Sequence, residues 1–382
     1  MRAGVVGHSS LEGANGPGAL PRPLQLEPVV PQPLVSVLIS NYNYGRFLED
    51  AVRSVLRQTY ENLEVILCDD GSTDDSLQIA ESLTSEDDRV TLLRKENGGQ
   101  ASAFNASFAQ CKGEIICFLD ADDTFDSGKV QRCVDAFCTS HAGLVVHQMM
   151  IVDENGRGLQ RIPTFTRFEQ GWIGERVLAR GGRWRWGPTS AVAIRREIGD
   201  RVFPMPERGF RTDADTFLLM LAPLLAPVCG LKEILAFYRL HGSNAFGQKK
   251  LDRNAVDRTT RALTVSIEAV NHRLAEMGSE NVRLHADDNL KLREQGLLAA
   301  ALDDTKPRRK LWDDYLKLAR ALKKDDLYDG LQKVWAIVLF GICLILPRRM
   351  RSSWLSINLG TSRAKELVRR VRDREWHRGG GR

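Results

Sequence analysis

Val35-Ser36-Val37-Leu38-Ile39-Ser40-Asn41-Tyr42-Asn43 is the stretch that decides the fold. Val35 to Ile39 is a short β-branched and apolar run of strand length, and it breaks abruptly into a polar cluster at Ser40-Asn41-Tyr42-Asn43. The same design recurs further along. Glu64-Val65-Ile66-Leu67-Cys68-Asp69 reads as a buried strand that runs into Asp69-Asp70-Gly71-Ser72, and a strand expected over 114–119 runs into Asp120-Ala121-Asp122-Asp123. Between them, Phe47, Leu48, Ala51, Val52, Val55 and Leu56 share one helical face. Helices are also expected at 74–84, 100–111 and 128–139, and further strands at 90–94 and 144–152. This alternation predicts an α/β fold built from βαβ units around a mostly parallel sheet. Ligands bind such sheets beyond the carboxyl ends of the strands, which is where the three polar clusters fall.

Five carboxylates at that edge, Asp69, Asp70, Asp120, Asp122 and Asp123, would repel one another unless a cation or hydrogen-bond donors compensated. Hard oxygen ligands suit Mg²⁺ or Mn²⁺, ions that bind through one or two carboxylates together with substrate phosphates. A diphosphate-bearing ligand is therefore expected with the metal. The chain has no GxxxxGK[ST] loop, and Gly98-Gly99 does not extend into GxGxxG, so kinase and dehydrogenase readings lose ground.

Val35 to Asn43, Gln58-Thr59-Tyr60, Asp69-Asp70-Gly71-Ser72-Thr73-Asp74, Asn97-Gly98-Gly99 with Asn105, and Asp120-Ala121-Asp122-Asp123 resemble, in this order, the successive blocks of family 2 glycosyltransferases. The resemblance implies a GT-A fold with a Rossmann-like central sheet, a nucleotide-diphospho-sugar donor and inversion at the anomeric carbon. It further implies that Ser40, Asn41, Tyr42, Asn97 and Gly98 line the donor site, that Asp70 reaches the base, that Asp120 approaches ribose or metal, and that Asp122 ligates the metal. Arg211-Thr212-Asp213-Ala214-Asp215, at the start of an apolar helix, matches the place of the family's general base; Asp213 is the choice and Asp215 the reserve. Phe237 to Asn244 resembles a late Tyr-Arg-x-His-Gly-x-Asn block, which makes His241 a candidate metal or diphosphate ligand. Trp184 and Trp186, in a loop over 181–189, are candidates to hold an acceptor sugar or, equally, to anchor the core. The Gln-x-x-Arg-Trp motif of processive members is absent, so transfer of a single sugar is expected.

The rest of the 382-residue chain sets the surroundings. With 43% hydrophobic and 27% charged residues the composition is that of a globular protein. Net charge is +5, yet residues 347–382 carry eleven Lys/Arg against three Asp/Glu, a local +8 that leaves −3 on the preceding 346. That distribution argues against a nucleic-acid surface and suggests a tail suited to anionic lipid or an acidic partner. Seven cysteines without a CxxC spacing, and an N-terminus without an apolar core, lead to the expectation of a reducing cytoplasmic setting.

Four segments are expected: a disordered Gly/Pro-rich leader over 1–33, a catalytic domain over 34–250, a helical extension over 251–330, and a final segment over 331–382. The last contains the apolar run Val334 to Leu346, too short to span a bilayer; peripheral contact of 334–382 with a membrane surface and packing as a core helix are both open. A glycan, lipid-linked or cell-envelope acceptor fits the resemblance. The alternatives are an inactive sugar-nucleotide-binding scaffold at the membrane, or a sugar-phosphate nucleotidylyltransferase, which would want a Gly-rich basic loop where Asn41-Tyr42-Asn43-Tyr44-Gly45 stands.

Overall fold

The structure is a computed structural model, and it describes residues 23–162, 168–242, 244, 253–303, 307–328, 330–347, 350–351 and 354. Its strands are β1 (Val35–Asn41), β2 (Leu63–Asp69), β3 (Val90–Arg94), β4 (Ile115–Asp120), β5 (Thr124–Phe125), β6 (Leu144–Val152), β7 (Gly158–Ile162), β8 (Gln170–Gly171), β9 (Val192–Arg195) and β10 (Val228–Arg239). Its helices are α1 (Gly45–Leu56), α2 (Ser76–Glu86), α3 (Gln100–Gln110), α4 (Lys129–Thr139), α5 (Gly174–Ala179), α6 (Arg196–Val202), α7 (Ala214–Leu225), α8 (Arg253–Glu276), α9 (Leu290–Asp303), α10 (Arg308–Lys324) and α11 (Gly330–Ile345).

The chain divides into two compact units. The first comprises residues up to Gly242 together with Val265–His285, and the second Ser243–Thr264 with Ala286 onward. In the first, the strands form one sheet in the order β3-β2-β1-β4-β9-β6-β10-β5, with β7 beside β6 and β8 beside β10. Neighbours β3-β2, β2-β1, β1-β4 and β6-β10 are parallel, whereas β9 runs antiparallel to both β4 and β6. The sheet is thus mixed and mostly parallel, flanked by helices. β1 shows why the apolar run had to be a central strand: Val35, Val37, Leu38 and Ile39 are all fully buried, between β2 on one side and β4 on the other. In register, Ser40 stands beside Cys68 and Asp120, and Asn41 beside Asp69, so the polar clusters share one edge.

Two features depart from the sequence reading. Residues 1–22 of the expected leader lie outside the described residues, but Pro23 to Pro33 packs on the first unit: Leu26 and Val29 are buried, Leu24 donates its N–H to Leu225 O, Val29 donates to Phe137 O, and Arg195 binds Glu27 O. Two apolar side chains spaced three apart sufficed to dock an extended, proline-stiffened segment. Next, β9 had no counterpart in the reading because four residues carry too little periodicity.

The second unit is helical. Leu297, Leu298 and Ala301 of α9, Leu311, Leu318 and Leu322 of α10, and Leu339, Phe340, Cys343 and Leu344 of α11 form its core. One face of α11 therefore packs as a core helix. The other remains apolar and exposed at Leu331, Val334, Val338 and Ile345. No helix of the described residues is long and apolar enough to cross a membrane.

Candidate active site

Two carboxylate groups meet at the sheet edge, and they are built differently. Asp69, at the end of β2, accepts hydrogen bonds from Asn41 Nδ2 (2.9 Å) and from the Ser72 N–H (3.0 Å), which closes the turn after the strand. Asp70 accepts from Gly98 N (2.9 Å), Gly99 N (2.7 Å) and Lys95 Nζ (2.7 Å). Its carboxylate is buried and fastens the loop 95–99 to β2. Asp70, expected to contact a donor base, thus also has an internal role. Asn41 is likewise fully buried, with Nδ2 on Asp69 and Ser72, whereas Tyr42 is 46% exposed.

The group after β4 is crowded rather than fastened. Asp120 accepts from Gln100 Nε2 (2.9 Å). Burial, the Asp122 charge and then the Asp215 charge push its carboxyl up to about 8. Asp123 is fully buried and its acidity is suppressed further by burial, Asp122 and Asp120; Ser190 Oγ donates to one oxygen (2.6 Å) and Arg239 N to the other (3.1 Å). Asp122 Oδ2 lies 3.0 Å from His241 Nε2, and the imidazole is packed by Tyr44 and Phe47, ring centroids 5.6 and 4.6 Å away. Tyr44 and Tyr238 are held protonated far above the usual phenol range by burial and the aspartates. Beneath the cluster Lys129 is completely buried, donating to Ser190 O (2.9 Å) and lying 3.3 Å from the centroid of the Phe125 ring; burial lowers its ammonium to about 8.

Among the described residues no set of three or more His, Cys, Asp or Glu side chains is gathered to hold a metal ion unaided. That suits ions completed by substrate phosphates. Asp122 with His241, beside carboxylates whose ionisation is suppressed by burial and by one another's charge, is a donor set that fits Mg²⁺ or Mn²⁺.

Across from these groups α7 opens with Asp213 in the left-handed region (φ 63°, ψ 29°), an uncommon conformation for a residue with a side chain. Burial raises the Asp213 carboxyl above its ordinary range, and Thr212 Oγ1 stands 3.5 Å from it. Burial and the Asp213 charge raise Asp215 to about 6.

Gly98 and Gly99 carry the loop 95–99 to this helix. Gly99 (φ 91°) lies so close that a β-carbon there would sit 2.4 Å from Arg211 Cα, and Asn97 Oδ1 accepts from Arg211 Nη2. Ser40 stands half-buried at the end of β1, its carbonyl accepting from Ala121 N. Trp184 is buried and donates its indole N–H to Leu219 O (2.5 Å), which makes it an anchor of α7. Trp186, half-buried beside it with centroids 5.7 Å apart, is the tryptophan with surface to offer.

Sequence reasoning missed Gln100, Ser190 and Lys129. Each is a single polar residue whose partners lie between 20 and 114 positions away, so only Ser190, just before a short β-branched run, carried any local signal.

Residues 36–203 match the model of glycosyl transferase family 2. The chain is 39% identical over 211 residues to an uncharacterized glycosyltransferase of Nostoc sp., covering 55% of this chain and 66% of that protein. It is 30% identical over 214 residues to the glycosyltransferase GlyG of Streptococcus pneumoniae, covering 54% of this chain and 70% of GlyG. The chain belongs to glycosyl transferase family 2. It is thus a glycosyltransferase, a transferase enzyme, and it spans about two thirds of the length of these two relatives. The crystal structure of S. aureus TarS 1–349 in complex with UDP-GlcNAc shares its fold, with a TM-score of 0.51 at 17% identity over 88% of this chain and 92% of that one. The mixed sheet described above is a GT-A fold.

Proposed function

We propose that this glycosyltransferase is inverting, metal-dependent and non-processive, moving one sugar from a nucleotide-diphospho-sugar to a hydroxyl of a glycan, lipid-linked or cell-envelope acceptor. The observation that carries the reading is a raised Asp213 in the left-handed region at the head of α7, two residues before Asp215, whose charge acts on Asp120 of the acidic cluster. Asp122 and His241 would hold the metal and Asp120 would orient the donor, with Ser40, Tyr42, Asn97 and Gly98 along the donor cleft. Bound there, Mg²⁺ or Mn²⁺ supplies positive charge to the departing diphosphate.

Asp213 takes the proton of the acceptor hydroxyl as that oxygen forms its bond to the anomeric carbon. The bond from that carbon to the diphosphate oxygen breaks on the opposite face, and its electron pair leaves with the nucleotide. A carboxyl raised above its ordinary range is a stronger base once ionised, which suits this role. Asp215 is the second candidate. Trp186 is the better placed tryptophan for an acceptor ring, as Trp184 is spent on Leu219.

The exposed apolar face of α11, followed in sequence by the basic segment 347–382, supports peripheral contact with an anionic membrane surface at its cytoplasmic side. The segments of the proposed organisation are a leader, a catalytic domain ending near residue 250, a helical extension and this basic tail.

The deciding experiment is metal-dependent binding and turnover across UDP-, GDP- and dTDP-sugars; a UDP-sugar is the first to test, since TarS of like fold was crystallised with one. Donor binding that needs Mn²⁺ or Mg²⁺ is expected. Asp213→Asn should retain that binding and lose turnover by about 10²- to 10⁴-fold. Equal binding with and without metal would remove the metal from the reading, and near-normal turnover in Asp213→Asn would move the base to Asp215.

A further inference from the structure

Gln100 hydrogen-bonds both to the acidic cluster and to the backbone at the proposed base. Its Nε2 donates to Asp120 Oδ1 at 2.9 Å, and its Oε1 accepts the N–H of Ala214 at 2.9 Å. The orientation of the amide is fixed by Ala214, because a backbone N–H can only give and Oε1 must receive it. Ala214 follows Asp213 directly and is the first residue of α7, whose early N–H groups have no partner within the helix. Gln100 satisfies one of them.

The contact matters because of where the backbone is already held. The N–H groups of Gln100 and Ala101 donate to the carbonyls of Arg211 (2.9 Å) and Phe210 (3.2 Å), and Gly99 packs on Arg211. These bonds pin the loop up to residue 211. They do not reach Asp213, whose left-handed backbone must be kept from relaxing to an ordinary conformation. The Gln100 side chain reaches past the pinned stretch to the residue after it.

Resting on the assignment of Asp213 as the base, we infer that Gln100 is a positioning residue: a strut that ties Asp120 on the donor side to Ala214 and so sets where the Asp213 carboxylate stands. A misplacement of about 1 Å at a reacting group costs on the order of 100-fold in rate, so a strut of this kind acts on turnover more than on binding.

Two variants separate its ends. Gln100→Met keeps the length of the side chain and removes both hydrogen bonds; the backbone bonds at residues 100 and 101 remain, so the fold should survive. Gln100→Glu keeps an acceptor for Ala214 N and turns a second carboxylate on Asp120. The first measurement needs no substrate: amide hydrogen exchange by mass spectrometry over residues 212–216, with β6 as control. Gln100→Met should exchange about tenfold faster there and unchanged in β6, while Gln100→Glu should stay near wild type over 212–216.

The second measurement is steady-state kinetics with the donor that the wild type turns over. Gln100→Met should lose about 10- to 100-fold in kcat with donor KM within about threefold, whereas Gln100→Glu should chiefly raise donor KM. Unchanged exchange over 212–216 in Gln100→Met overturns the strut, whether or not any donor is found. Faster exchange with unchanged kcat overturns its positioning role. Wild-type inactivity with every donor would instead overturn the proposed reaction and leave the exchange result to decide the strut.

Discussion

The carboxylates at the end of β2 and those at the end of β4 look alike in the sequence, adjacent aspartates after an apolar strand, yet they have opposite surroundings. Asp69 and Asp70 receive five hydrogen bonds between them, from Asn41, Ser72, Lys95, Gly98 and Gly99. Their negative charge is answered within the protein, and what it holds in place is two loops. Asp120 and Asp123 have fewer donors, stand beside Asp122, and are pushed toward the protonated state. The first group is held by donors from the turn and loop around it; the second is crowded by like charges, which a bound cation would relieve.

The largest expected effect comes from the crowded side. Asp122→Ala should weaken metal-supported donor binding by more than about 100-fold, the upper end of what removing an outer partner of a metal ligand costs. Its melting temperature without metal should hold or rise, since a buried like charge is lost. Calorimetric titration of the donor with and without Mn²⁺, beside a thermal melt, checks both. A variant that melts much lower yet binds donor normally would give Asp122 a structural role instead.

Asp70→Ala should do the reverse. It leaves the buried Gly99 N–H and its neighbour Gly98 N–H without acceptors, at a cost of about 2 kcal/mol in stability. Donor affinity would fall only as far as the 95–99 loop loosens. Urea unfolding gives the first number and titration the second. Should stability be unchanged and donor binding collapse, Asp70 would be a contact of the nucleoside after all.

How far these assignments could be read in advance follows from the range of the interactions. β1, β2 and β4 were legible because a buried strand announces itself in five or six consecutive residues, and the edge they share follows from parallel register. That Asp70 fastens the 95–99 loop was not legible: only the positions of Lys95 and the Gly98-Gly99 N–H groups show it. The same holds for Trp184, whose aromatic face was visible in the sequence while its hydrogen bond to Leu219 was not. His241 is 119 positions from Asp122, and what brought it into view was a motif; its packing between Tyr44 and Phe47 had no sequence signal. The antiparallel β9 escaped because its identity depends on two neighbours that are themselves distant.

The smallest effect is the one that tests the contrast by pH. An Asp in the unfolded chain titrates near 4. Because Asp120 and Asp123 hold their protons more tightly when folded, Asp120 up to about 8, the stability each contributes is fully present below pH ~4 and is lost as pH rises through the folded value. Metal-free protein should therefore melt at progressively lower temperature between pH 5 and pH 8. Mn²⁺ favours the ionised carboxylates, so the stabilisation it provides should grow over the same interval. Asp123→Asn keeps a neutral side chain against Ser190 and Arg239 N at every pH. It should shift the metal-free melting temperature little at pH 5, raise it by a few degrees near pH 8, a change of about 1 kcal/mol, and flatten the slope. Asp70→Ala, by lowering stability alike at both pH values, should leave the slope as it is. If instead the metal-free protein grew more stable from pH 5 to pH 8, or if Asp123→Asn kept the full slope, the aspartates after β4 would be answered within the protein just as those after β2 are.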